Sequence, residues 1–358
     1  MTGRTAAPLR QTAHRRVPDG YLGLPVPGGR IPLSRRGLLV GVITSAAIVA
    51  VALTALAVGD YPLSVSEVVA ALFSDQGFAS TVVTEWRLPR IVAAIVFGAA
   101  LGASGALFQT LTRNPLGSPD IIGFSTGAYT GAIVVITMMG GGFVAVSTGA
   151  LAGGLVTAAI VYILAWRNGV QGFRLIIVGI AVTAVLHSVN TFLLLRAQTE
   201  VAMSAAIWGA GSLSLVSWEQ IFVTAVPLLI LAIATMIIDR PLRQLELGDD
   251  AARAHGVRTE AVRLLVMVVG VALIAIVTAA AGPIAFIALA APQIARRLTA
   301  SAGIPVAGSA LIAAFLLLAA DVIAQHVVPG SVPVGIVTVV IGGVYLIALL
   351  VNEARKQL

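Results

Sequence analysis

The sequence contains no cysteine, and Lys356 is its only lysine. The first absence excludes disulfides and thiolate metal sites. The second excludes a G-x-x-x-x-G-K-[ST] phosphate loop, because no glycine-rich turn precedes Lys356; if ATP drives this protein, a separate chain hydrolyses it. Histidine is sparse as well: His14, His187, His255 and His326 lie far apart, without metal-ligand spacing. Charge is the most telling shortage. Charged residues make up 10% of the chain, against about a quarter in soluble domains, while 58% are hydrophobic and the mean hydropathy is +1.01. Such a composition belongs to a polytopic membrane protein.

What is present is a series of long uncharged runs. A bilayer core of about 30 Å needs roughly 20 apolar residues to span it. Residues 1–36 are Pro/Gly-rich and hold seven arginines against Asp19, with no signal-peptide core, and predict a basic, disordered cytoplasmic tail. Crossings are expected at about 37–59 and 91–112, then twice within the uncharged residues 121–166, which Gly140-Gly141-Gly142 divide. Others follow at about 174–195, at 220–238 (ending in Asp239-Arg240-Pro241), and at 261–281. A short one is expected at about 284–298 after Gly282-Pro283, with the last two at 306–328 and 332–352. Residues 196–219 are too polar for a span and predict a short re-entrant or interfacial helix. The result is an all-α domain of about ten transmembrane helices over 37–355, with a polar connection at 239–260 and both termini on one side. Lys and Arg collect in cytoplasmic loops. With the N-terminus inside, every one of the 22 basic residues except Arg87, Arg90 and Arg196 falls inside. Topology therefore accounts for the pI near 10.7, and no nucleic-acid partner is needed to explain it.

The second crossing organises the chain. It carries small residues at close intervals from Gly98 to Ala106, which let helices approach in lipid, so it is expected inside the bundle. At its outer end Arg87 and Arg90 share a face at i, i+3 and oppose the charge bias; alone they read as interfacial anchors. At its inner end Asn114-Pro115-Leu116 is a fixed bend. Within the spans the ionisable groups are Asp321 and His187, each open to a packing or a transport role. So few groups are thin support for ion-coupled transport or a channel. The segment LELGDDAARAHGV, 245–257, predicts a helix over about 249–255: Asp249 and Asp250 suit its N-terminus and Gly256 a left-handed stop. It is either a solvated loop or a docking surface.

RLPR…GAALGASGALFQ…RNPLGSPDIIGFSTGA, followed in order by LELGDDAARAHGV, AGPIAFIALAAPQIARR, LLLAAD and VPVGIVTVVIGG, resembles the iron-siderophore and cobalamin branch of bacterial ABC import permeases. The resemblance covers about residues 37–355 and implies type II importer architecture. It also implies two permease chains, two ATPase subunits beneath them carrying ATP-Mg, an extracytoplasmic siderophore-binding protein above, and no cofactor in this chain. It assigns Arg87 and Arg90 to carboxylates on the binding protein, Asn114, Leu116 and Gln171 to a cytoplasmic gate, and Asp249, Ala252, Arg253 and Gly256 to coupling with the ATPase. Two departures stand out. Gln325 occupies the place where some members have a third docking arginine, and Pro292-Gln293 stands where Pro-His is usual. TEWRLPR and LAWRNGVQGFRLIIVGI look most like the ferric-enterobactin permeases. That implies a heterodimer in the bacterial cytoplasmic membrane importing a ferric catecholate, with cobalamin or haem import as the alternative.

Overall fold

In lipid every backbone N–H and C=O must be satisfied within the chain, which drives long apolar runs into helices. The computed structural model describes residues 21–26, 29–120, 122–166, 172–330 and 332–357. The chain runs β1 (Tyr21–Val26), β2 (Gly29–Ser34), α1 (Arg35–Ala57), α2 (Val65–Phe73), α3 (Phe78–Thr81), a π-helical turn (Val82–Arg87) and α4 (Leu88–Thr112). It continues through α5 (Phe124–Met139), α6 (Phe143–Ala165), α7 (Gly172–Arg196), α8 (Thr199–Gly209), α9 (Trp218–Glu246) and α10 (Asp249–Ala254). The last elements are α11 (Thr259–Ala281), α12 (Ile287–Thr299), α13 (Val306–His326) and α14 (Val334–Gln357). Among the described residues seven helices are long and apolar enough to cross a membrane: α1, the continuous Phe78–Thr112, α6, α7, α9, α11 and α13. The apolar α5 and α14 are shorter in this respect, and α12 has 13 residues. These ten segments match the expected spans, and α8 is the short helix expected between the fifth and sixth.

Two boundaries differ. Part of the tail expected to be disordered is ordered: β1 and β2 pair antiparallel, from Tyr21 opposite Ser34 to Val26 opposite Gly29. Pro25 and Pro32 are tolerated because each strand is an edge. Residues 1–20 lie outside the described part. Further on, α9 does not stop at Asp239-Arg240-Pro241 but runs through Pro241 to Glu246. Proline removes one helix hydrogen bond, and an i, i+4 ion pair between Asp239 and Arg243 (3.0 Å) spans the defect.

α4 is the buried axis. Its side chains Phe97, Leu101, Leu107 and Phe108 are among the largest fully buried ones. The small residues do what their spacing predicts. A Cβ on Gly98 would lie 2.7 Å from the Ala313 carbonyl of α13, one on Gly102 would overlap the Ser309 carbonyl, and one on Gly105 the Ala288 carbonyl of α12. Backbone therefore meets backbone along this stripe. The polar groups of α4 are satisfied across the same interfaces. Ser104 Oγ donates to Gly270 O (2.6 Å). Gln109 Nε2 donates to Leu289 O (2.8 Å) and its Oε1 accepts from Gln293 Nε2 (2.6 Å). Gln293, which stands where the resembling family has histidine, is thus a buried strut.

Candidate functional site

The expected site residues fall at the two ends of α4. At the Arg87 end the π-helical turn lets Leu88 N–H bond to Val83 O. Such turns often mark functional positions. Thr84 O there accepts from Trp218 Nε1 (2.8 Å) of α9. Arg87 is half-buried and caps the end of α1: Nη1 donates to Leu56 O (2.6 Å) and Nη2 to Tyr61 O (2.7 Å). Arg90 is engaged differently. Its Nε and Nη2 donate to Asp321 Oδ2 and Oδ1, both at 2.8 Å. Gln325 Nε2 adds a third donor to Asp321 Oδ2 at 2.7 Å. The Arg90 charge is therefore compensated inside the chain by the Asp321 carboxylate. Gln325 adds a neutral donor to the same carboxylate.

At the other end α4 closes on Arg113, whose φ of 49° is left-handed. Asn114 then folds an Asx turn, its Oδ1 accepting from Leu116 N–H (2.9 Å), while Gly117 N–H bonds to Asn114 O (2.9 Å). The Oδ1 and backbone carbonyl of Asn114 thereby fix the turn that carries Leu116. Gln171 lies outside the described residues. Its successor Gly172 starts α7 against the end of α4, where a Cβ would fall 2.6 Å from Thr112 Cα.

The segment after α9 forms the expected short helix, α10, one residue shorter at its end than the sequence suggests. Gly248 (φ 108°) and Gly256 (φ 81°) bracket it with backbone conformations that favour glycine. Val257 N–H returns to Ala252 O (3.0 Å). Ala252 is fully buried against the bundle, whereas Arg253 and Gly256 are exposed, beside an exposed Leu247. Asp249 turns inward. It accepts from Arg113 Nη2 (2.7 Å) and, through both oxygens, from Arg263 Nη2 of α11 (2.7 Å). Burial alone would raise its carboxyl, but the hydrogen bonds and charge of Arg263, then of Arg113, outweigh that and hold it below the ordinary value. Arg113 Nη2 also donates to Leu245 O (2.7 Å). Sequence reasoning missed Arg113, Arg263 and the partner of Asp321. Opposite charges at unusual depth or spacing were visible, but their pairing is long-range.

Comparison with known proteins agrees with this layout. The FecCD transport family profile matches residues 46–352. The chain is 49% identical over 329 residues to the ferric enterobactin transport system permease protein FepG of Escherichia coli (strain K12), covering 91% of this chain and all of that one. To the permease protein FepD of the same system it is 35% identical, over 77% of this chain and 83% of the relative. A solved metal-chelate type ABC transporter in an inward-facing conformation superposes with a TM-score of 0.75 at 27% identity, over 88% of this chain and 99% of that one. A multi-pass helical protein with this end-to-end match belongs to the FecCD transport family.

Proposed function

We propose that this chain is one permease subunit of an ATP-driven importer for a ferric catecholate siderophore, working in the cytoplasmic membrane with both termini inside. The observation that carries the reading is the full-length 49% identity to the ferric enterobactin permease FepG. The relation to FepD supports pairing with a second, different permease chain. Two ATPase subunits supply ATP-Mg chemistry from below, and a siderophore-binding protein delivers substrate from outside.

In this reading α10 is the docking element for the ATPase. Ala252 anchors it to the bundle, and Arg253, Gly256 and Leu247 face the partner. Asn114 and Leu116, with Gln171, form the inner gate around the axis shared with the second permease. Arg87 contributes a docking charge for the binding protein, while Arg90 does not, since Asp321 already holds it. Substrate passes by alternating access: closure of the ATPases moves α10, and the gate opens away from the loaded binding protein. The iron arrives wrapped in its chelator, so the permease recognises a bulky complex rather than a bare ion.

Uptake of radiolabelled ferric catecholate by cells lacking this chain, with and without the gene restored, tests the proposal. Restoration of iron uptake with no effect on cobalamin or haem uptake is expected. The opposite pattern replaces the substrate class, and uptake that persists without ATP removes the mechanism.

A further inference from the structure

Resting on that reading, the geometry points to Arg113 as the positioning residue that transmits movement of the coupling helix α10 to the inner gate. Two contacts of its side chain tie it to the neighbouring segments. Its Nη2 holds Leu245 O at the end of α9 (2.7 Å) and Asp249 Oδ1 at the start of α10 (2.7 Å). Asp249 is in turn gripped by Arg263 at the start of α11 (2.7 Å to each oxygen). The backbone of Arg113 is itself the left-handed stop of α4, immediately before Asn114 and the Asx turn that aims Leu116. One residue thus has its side chain on the ATPase-facing segment and its backbone in the gate.

The neighbours make this a directed link. Glu246, the last residue of α9, lies against Gly303 and approaches Thr110 Oγ1 and Ile304 N–H (3.5 Å each). The end of α9 is therefore seated on α4 and on the connection between α12 and α13. Arg263 fixes Asp249 to α11 through a guanidinium whose side chain is only 14% exposed, whereas the Arg113 side chain is 48% exposed. A push on α10 reaches α4 through the Arg113 contact, while Arg263 ties the same carboxylate to α11.

The test uses the complete transporter in liposomes, with both permeases, the ATPase and the binding protein. The chain has no cysteine, so a single Leu116→Cys reports the gate through its rate of reaction with a thiol reagent, with and without ATP. Arg113→Asn removes the guanidinium while suiting the left-handed backbone; Arg113→Lys restores a cation able to reach the same acceptors. We expect Arg113→Asn to assemble and hydrolyse ATP, to transport at least about tenfold less substrate per ATP, and to lose the ATP-dependent change at position 116. Arg113→Lys should recover most of both. Wild-type transport per ATP and a wild-type change at position 116 in Arg113→Asn overturn the relay alone. A wild-type complex that shows no ATP-driven uptake overturns the importer reading and the relay with it.

Discussion

Each end of α4 sets an arginine against an aspartate, with different burial and different company. Arg90 and Asp321 form a bidentate pair whose side chains are 14% and 2% exposed, with Gln325 donating to the same carboxylate. Arg113 and Asp249 are 48% and 31% exposed, and the carboxylate is shared with Arg263. Opening the first pair strands a charge where water cannot replace its partner, which is costly. Opening the second lets water take over, so the pair itself is worth only about 0–1 kcal/mol. The first contact fixes two spans to each other, and the second can exchange during a transport cycle.

The comparison breaks most sharply at the buried pair. Asp321→Ala should destabilise the protein by about 3–5 kcal/mol, read as loss of thermal stability in detergent, because Arg90 is left unpaired. The double change Arg90→Met with Asp321→Leu should recover most of that loss. If it does not, the pair contributes through something other than charge compensation. A second break falls at the opposite end and should spare stability while removing function. Ala252→Pro removes the bond from Ala252 N–H to Gly248 O (3.0 Å) and costs α10 about 3 kcal/mol. The spans should still insert and melt near the wild-type temperature while siderophore uptake is lost, and normal uptake would exclude α10 from coupling. The smallest effect sharpens the contrast by pH. Asp249 titrates below its ordinary 3.8 in the folded protein, so its contribution is fully present above 3.8 and fades as pH falls through the lower folded value. Hydrogen exchange in α10, corrected for its intrinsic rate, should accelerate across that window by the equivalent of less than about 1 kcal/mol.

Local features were legible in the sequence. The small-residue stripe placed α4 in the interior, Gly282-Pro283 separated α11 from α12, and the acids and glycines around 249–256 located α10. Each rests on chemistry within a few neighbouring residues. Pro241 misled because its break in the hydrogen-bond ladder is local, while the Asp239–Arg243 pair that bridges it depends on the helix already existing. The pairing of Arg90 was hidden for the complementary reason: its partner lies 231 positions away, so no local pattern points to it. Asp321 was nevertheless a usable signal, because an intramembrane ionisable group needs a partner, and few basic residues lie near its end of the spans.

The glycine stripe on α4 also limits which parts of the subunit can travel. Where a backbone rests on a carbonyl with no room for a methyl group, there is no slack for sliding. A shift of one residue, about 1.5 Å of rise, would carry Ser104 or Ala106 toward the place where only Gly105 clears Ala288 O. α4, α12 and α13 thus pack as a single unit along this stripe. Elements with few buried residues, such as α7, where these are Leu175, Gly179 and Asn190, carry no such backbone lock within the subunit.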